Sequence, residues 1–289
     1  LAPYDVPYRC GPACRQTVLL MTTTRSPRVK PVSHQIPLVV ALVPAAGRGL
    51  RMGGSIPKQF LSLGGEPLIV QSLRTLQAAP VVDQIVLAVP LADVEYCENE
   101  IVLRHRLTKV TKVVAGGLER QDSVRYALAQ VHSETEIVLI HDAVRPFMTL
   151  QMIAEVVAAA KKEGAAIIAL PMRDTVKQVR VDGTIERTVD RAPLWLAQTP
   201  QAFRRDWIEA AHTKAHAEGI RATDDASLVE WLGHPVSVVE GSGENIKVTR
   251  PEDIVIGEAI LASRMKGRES GEKSPKGRRS QSRRPRKSS

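Results

Sequence analysis

LVVALVPAAGRGLRMGGSIPKQ, residues 38–59, opens with the length and β-branched content of a buried strand. The apolar run stops abruptly in Pro44-Ala45-Ala46-Gly47. A turn carrying Arg48, Gly49, Arg51, Gly53 and Gly54 follows, and then Pro57-Lys58-Gln59. Side chains this small let a ligand come close to the backbone amides. Arg51 and Lys58 add two fixed cations within the same short segment. Amides and cations just past a strand are what a polyphosphate requires. The loop has no Gly-Lys-Ser/Thr of a P-loop, and Met52 stands where a dinucleotide fingerprint places its third glycine. What remains is a looser phosphate cradle that carries its own cations.

Outward from this stretch, strand-like and helix-like segments alternate. Strands are predicted over 38–44, 84–90, 110–115, 137–141 and 165–170, and helices over 67–79, 93–107, 120–131 and 151–163. Continuous apolar strands separated by helices predict an α/β fold with a mainly parallel sheet covered on both faces. Ligands on such sheets sit at the carboxyl ends of the strands. The pattern then breaks. Residues 175–181 and 185–189 alternate polar and apolar around Asp182-Gly183, which predicts a β-hairpin. Its alternation leaves one face to solvent, so it is expected to protrude as a dimer arm; the alternative is a hairpin folded back on its own domain. Helices over 204–218 and 224–232 follow, the second with Thr223 as N-cap. A strand over 236–240 and a closing helix over 253–265 complete the pattern.

The chain has 289 residues, 43% of them hydrophobic and 3% aromatic, so it can bury a sizeable and mostly aliphatic core. No apolar run approaches the roughly 18 residues that a membrane helix needs. The net charge of +9 sits at the ends: residues 1–36 carry +4 and 264–289 carry +9, which leaves −4 on the body. A mildly acidic body excludes an obvious nucleic-acid binder. Residues 1–36 are Pro-rich without a period and 266–289 are low-complexity and basic, so both are expected to be disordered around one domain over 37–265 with its arm near 173–192. Met21 precedes TTTRSPRVKP. Either translation begins there, or the leading segment, rich in Arg, Ser and Thr, is a transit peptide. The cytoplasm is the expected location and a plastid the alternative. Cys10 and Cys14 lack a second pair or a His cluster and read as free thiols, as does Cys97.

Three further segments carry chemistry. Ala115-Gly116-Gly117 follows a strand, and Arg120 and Ser123 come within the next helical turn, where they can reach a base or a phosphate. His141-Asp142-Ala143-Val144-Arg145-Pro146 ends the fourth strand. A carboxylate there is costly to bury without a partner. Mg²⁺, the usual companion of a nucleotide, would supply one, and an ion pair with Arg145 is the alternative. Arg191 and Lys247 are two later cations suited to a second, phosphorylated substrate.

With these motifs in hand, the chain resembles the 2-C-methyl-D-erythritol 4-phosphate cytidylyltransferases of non-mevalonate isoprenoid synthesis. The segments appear in order across residues 38–262: PAAGRGLRM with PKQ, AGGLERQDSV, HDAVRP, MRDTVK, TVDRAPLWLAQTPQAF, TDDAS and ENIKVTRPED. The resemblance implies a fold akin to nucleotide-diphospho-sugar transferases, with a β-arm joining two subunits. It implies transfer of a cytidylyl group from CTP to methylerythritol phosphate, with Mg²⁺ and release of pyrophosphate. It implies that Arg51, Lys58, Arg191 and Lys247 are catalytic, and that Ala45, Ala46, Gly47, Gly49, Lys58, Gly117, Arg120, Ser123 and Asp142 hold the nucleotide. Asp142 also serves the metal, while Arg145, Thr175, Arg191, Thr199, Thr223 and Lys247 hold the sugar phosphate. Two alternatives stand beside this reading: a cytidylyltransferase for ribitol phosphate or another polyol phosphate, and a nucleic-acid-binding protein acting through the basic tail.

Overall fold

The computed structural model describes residues 38–47 and 57–269, with side chains as far as Lys266. Arg51 and Gly49, the leading segment with Cys10 and Cys14, and the tail beyond residue 269 lie outside the described residues. In chain order the elements begin with β1 (Val39–Pro44), a short hairpin of β2 (Ser62–Leu63) and β3 (Glu66–Pro67), α1 (Leu68–Ala78) and β4 (Gln84–Val89). A helical segment built around α2 (Val94–Tyr96), β5 (Val110–Ala115), α3 (Arg120–Leu128), β6 (Ile137–Ile140), α4 (Leu150–Glu163) and β7 (Ala165–Pro171) follow. The chain then forms β8 (Val176–Val179), β9 (Ile185–Val189), β10 (Trp195–Arg204), α5 (Arg205–Ala217), α6 (Asp225–Trp231), β11 (Ser237–Glu240) and α7 (Pro251–Glu269).

Seven strands form one sheet in the order β11-β7-β10-β6-β1-β4-β5. The pairs β1/β4, β1/β6, β4/β5 and β7/β11 are parallel, as the apolar runs predict. Both faces of the central strands are buried. Val39, Ala41 and Val43 pack with Ile69, Leu73 and Ile153 of α1 and α4, whereas Val40 and Leu42 pack with Val124 and Ala127 of α3 and Ile208 of α5. A strand covered on both faces needs apolar residues at every position, which is why β1 and β6 read as continuous runs rather than alternations. A third cluster, Leu63, Leu68, Val144, Phe147 and Val248, seats α7 through Ile254, Ile260 and Leu261.

Two expectations need correction, and one strand lies outside the predicted pattern. The segment 195–204 is a ten-residue strand antiparallel to both neighbours, β6 and β7, in the middle of the sheet. Its internal Pro200 argues against a strand on sequence grounds. The register shifts between Ala197 and Gln201, and this irregularity accommodates the proline. The helix predicted over 93–107 is instead a 3₁₀ turn (Leu91–Asp93), one α-turn (Val94–Tyr96) and a π-helical stretch (Cys97–Leu103) that buries Cys97 and Ile101. The N-cap of α6 is Asp224, not Thr223: the Asp224 side chain accepts from the Ser227 amide. The hairpin of β8 and β9 forms with the predicted turn, and β8 and β9 pair only with each other.

Thr149 caps α4 by accepting from the Met152 amide, and Gly164 ends it at φ +95°. A Cβ at Gly164 would also run into the Trp207 ring. Gly164→Ala should therefore lower the unfolding free energy by about 2 kcal/mol, from left-handed strain and displaced packing together. Urea unfolding followed by circular dichroism measures this, and a loss below about 0.5 kcal/mol would show that Trp207 moves aside without cost.

Candidate active site

β1, β4, β5 and β6 are parallel, so their carboxyl ends share one edge of the sheet. The loops predicted to bind ligand all begin there. Pro44-Ala45-Ala46-Gly47 leaves β1, Gly116-Gly117 leaves β5 and His141-Asp142 leaves β6. The first two loops touch: a Cβ on Gly116 would collide with that of Ala46 and lie 2.8 Å from Ser123 Oγ. Ser123, on the first turn of α3, accepts from the Gly117 amide at 3.1 Å and donates to the Glu119 carbonyl at 3.1 Å, which pins the Gly-Gly turn to the helix.

Two adjoining cavities open at this edge. The first, about 450 Å³, is lined by Ala45, Ala46, Gly47, Lys58, Gln59 and Ser123. The second, about 510 Å³, is lined by Arg145, Gln198, Thr199, Gln201, Thr223 and Asp224. Arg120, Asp142 and Lys247 line both and form the boundary between them.

Asp142 is the electrostatic centre. Its Oδ1 accepts from Arg120 Nε at 2.9 Å, its Oδ2 lies 2.7 Å from Lys247 Nζ, and Arg145 Nε is 3.8 Å away. Burial alone would push the Asp142 carboxyl up, but Arg120, then Lys247 and Arg145, outweigh it and hold the group well below the usual carboxylate range. Arg120 also donates through Nη1 to Asp225 Oδ2 at 2.6 Å. Burial works against its charge, and Asp225 and Asp142 together raise its pKa above the ordinary value. Arg145 is less well matched. Burial pushes its pKa down despite Asp142, and its buried Nε has no hydrogen-bond partner among the described residues, while Nη1 donates to the Asn245 carbonyl at 2.8 Å.

A chain of hydrogen bonds fixes the backbone beneath. The Asp142 amide donates to Thr199 Oγ1 at 3.1 Å, which lies 3.1 Å from His141 Nδ1, and His141 Nε2 meets the Arg145 carbonyl at 3.0 Å. The carbonyl requires the proton on Nε2, so Nδ1 accepts from Thr199. Asn245 donates to the Thr199 carbonyl at 2.9 Å and to Gln198 Oε1 at 3.1 Å, tying the irregular part of β10 to the loop that presents Lys247.

Of the residues expected from sequence, Ala45, Ala46, Gly47, Lys58, Arg120, Ser123, Asp142, Arg145, Thr199, Thr223 and Lys247 line one or both cavities. Gly117 lies behind the first, bonded to Ser123. Thr175 and Arg191 do not line either. Both are exposed at the base of the hairpin, where Arg191 donates to the Arg173 carbonyl. Sequence reasoning missed Gln59, Gln198, Gln201 and Asp224 as lining residues and Asp225 and Asn245 behind them. Each belongs to a quoted motif, but nothing local in the sequence marks which distant partner it meets.

Comparison with known proteins agrees with this geometry. The family model described as IspD, 2-C-methyl-D-erythritol 4-phosphate cytidylyltransferase, matches residues 39–263. A relative from Syntrophus aciditrophicus named 2-C-methyl-D-erythritol 4-phosphate cytidylyltransferase is 51% identical over 225 residues, spanning 78% of this chain and 96% of the relative. Another with the same name, from Geobacillus kaustophilus, is 49% identical over 226 residues, with 78% and 97% covered. Among solved structures, 4-diphosphocytidyl-2C-methyl-D-erythritol synthase from Anaerococcus prevotii superimposes with a TM-score of 0.69 at 32% identity, covering 78% of this chain and 96% of that one. 2-C-methyl-D-erythritol 4-phosphate cytidylyltransferase from Thermus thermophilus gives 0.64 at 33%, covering 77% and 98%.

His141 beneath the site should make stability pH-dependent. Burial, against the opposing pull of Asp142, lowers its pKa from 6.5 to about 4. A base with a lowered folded-state pKa contributes stability above its unfolded value and loses it as pH falls. Unfolding free energy should therefore drop from pH 6.5 to pH 4, by about 3 kcal/mol over the full window. Urea titrations at pH 7, 5.5 and 4.5 measure the slope, and His141→Gln should flatten it. An unchanged slope in that variant would show that the imidazole does not carry the dependence.

Proposed function

This chain belongs to the 2-C-methyl-D-erythritol 4-phosphate cytidylyltransferase family, and we propose that it transfers a cytidylyl group from CTP to 2-C-methyl-D-erythritol 4-phosphate. The observation that carries the reading is the pair of adjoining cavities joined by Arg120, Asp142 and Lys247. The nucleotide occupies the first, between the loops after β1 and β5, and the sugar phosphate the second, beside Arg145.

A phosphate oxygen of the sugar attacks the α-phosphorus of CTP. The new P–O bond forms, the bond from that phosphorus to the α–β bridging oxygen breaks, and pyrophosphate leaves. The nucleophile is already an anion, so no strong base is required. The barrier is repulsion between two phosphates and charge building on the bridging oxygen, and cations held in place lower both. Lys58, the first residue of a 3₁₀ turn after Pro57, lines the first cavity, and the resemblance gives Arg51 the same role. Lys247 and Arg145 draw the sugar phosphate toward the boundary. Arg145 Nε is the buried donor still in need of an acceptor.

Mg²⁺ suits this donor set. Asp142 is the one carboxylate lining the first cavity, and Mg²⁺ commonly takes a single protein carboxylate with phosphate and water as its other ligands. Lys247, with 38% of its side chain exposed, is the partner able to leave Oδ2 for the substrate phosphate. When bound, the ion would neutralise charge on the triphosphate.

Thr175 and Arg191 lie on the arm and outside the cavities of their own chain, although the resemblance places both on the sugar-phosphate side. A homodimer resolves this: the arm of one protomer delivers them to the second cavity of its partner. The cytoplasm is the proposed location, as expected for relatives that are bacterial. Among the described residues no helix is long and apolar enough to cross a membrane.

Purified protein should release pyrophosphate only when CTP and methylerythritol phosphate are both present; no release with the pair would defeat the assignment. Lys58→Ala should cut kcat on the order of 10³-fold with the fold retained, and near-normal turnover would remove Lys58 from the chemistry. Arg191→Ala should chiefly raise KM for the sugar phosphate. At low sugar phosphate, mixing Lys58→Ala with Arg191→Ala should give more turnover than the two variants assayed apart, because mixed dimers contain one intact composite site. If mixing adds nothing, Arg191 serves its own chain.

A further inference from the structure

Arg120 is held by two carboxylates of different character. Asp142 lines both cavities and is the group that a substrate or a metal would engage. Asp225 lines neither. It is the first residue of α6, 1% exposed, and its Oδ2 receives Arg120 Nη1 at 2.6 Å. Burial opposes its charge, and Arg120 first and then His212 hold its carboxyl below the ordinary range.

Everything around Asp225 is fixed. Asp224 caps the helix at Ser227, 3.0 Å away, and receives Gln201 Nε2 at 2.8 Å, while Gln201 Oε1 accepts from the Ala226 amide at 3.2 Å. Gln201 belongs to β10, so the start of α6 is clamped to the central sheet. On the far side, Asp225 Oδ1 lies 3.0 Å from His212 Nε2 on α5, and His212 is 1% exposed. Because Asp225 is ionised, Nε2 carries the proton and donates. His212 Nδ1 is buried with no hydrogen-bond partner among the described residues, and the residue lies beside a cavity of about 600 Å³ between α3 and α5. A buried imidazole that spends its one donor on Asp225 and leaves its acceptor unmatched is a costly arrangement for packing alone.

We propose that Asp225, braced by His212, is the positioning residue that keeps the Arg120 guanidinium set toward the nucleotide when Asp142 is drawn away by its ligand. A side chain with five donors and two anchors keeps its orientation when one anchor changes partner only if the other is rigid. Asp225 is that rigid anchor, since no ligand in either cavity competes for it. The contact therefore governs nucleotide affinity more than that of the sugar phosphate, which Arg145 and Lys247 chiefly hold. This rests on CTP being the nucleotide.

The test is steady-state kinetics of the full chain, with both substrates varied, and calorimetric titration of CTP. Asp225→Asn preserves shape, and the amide can still pair with His212 by moving the imidazole proton to Nδ1. It should raise KM for CTP and weaken CTP binding about tenfold, with KM for methylerythritol phosphate within twofold, as expected for loss of a charge-assisted bond. His212→Leu should move KM for CTP in the same direction, and His212→Gln, which returns a donor to Asp225, should rescue it. KM does not depend on the fraction of folded enzyme, so a purely structural role moves Tm and leaves the ratio of the two KM values unchanged. The proposal is overturned if Asp225→Asn leaves KM for CTP within twofold or raises both KM values alike, or if the Gln and Leu variants behave the same. A wild-type protein that turns over no CTP defeats the cytidylyltransferase reading itself.

Discussion

A carboxylate removed from water at the end of a central strand has to be met by cations, and Asp142 is met by three. Arg120 comes from α3, Lys247 from the loop before α7, and Arg145 from the turn that Asp142 itself begins. Each belongs to a different segment, so the cluster exists only when the sheet, α3 and the C-terminal part of the chain have come together. The cost of burying the anion is what makes the arrangement specific. Removing one partner would leave the buried charge less than fully compensated.

The same cluster explains why the site accepts phosphate without a P-loop. The protein's donors exceed its acceptors there. Arg145 Nε and Gln59 Nε2 are buried without hydrogen-bond partners among the described residues, one in each cavity. Buried donors in native proteins are nearly always satisfied, and those that remain point to an absent acceptor. Phosphate oxygens supply acceptors in number. Asp142 thus holds the cations while no substrate is present and gives them up when richer acceptors arrive.

Legibility from sequence followed the range over which the causes act. β1, β4 and β6 could be read because burial on both faces demands apolar residues at nearly every position, and the small residues after β1 and β5 marked where a ligand enters. α4 could be read from its Ala/Val-rich run and the arm hairpin from a local turn. β10 could not, because its proline has the signature of a loop and its strand character comes from pairing with β6 and β7 on either side. The irregular helix around α2 reads as a regular one because Cys97 and Ile101 keep helical spacing. The hidden part of the site has the same origin: Arg120 and Asp225 are 105 residues apart and Asn245 and Thr199 46, so no local pattern announces that they meet. The arm raised a different difficulty. Its motif residues are visible in the sequence, but they do not line the cavities of their own chain, and the proposed dimer is what would bring them to a site.

Net charge is a poor guide to such a site. The body of the chain carries −4, yet the two cavities are lined by Lys58, Arg120, Arg145 and Lys247 against Asp142 and Asp224. Asp224 is further occupied by capping α6 and receiving Gln201, which leaves Asp142 as the counter-charge to Arg145 and Lys247 and, with Asp225 behind the cavities, to Arg120. A recessed cleft between low-dielectric walls concentrates that local excess, while acidic side chains elsewhere act through water and salt. A triphosphate and a sugar phosphate, both anions, can therefore meet in one cleft of an acidic domain. The repulsion between them is balanced by the side chains that hold the site together.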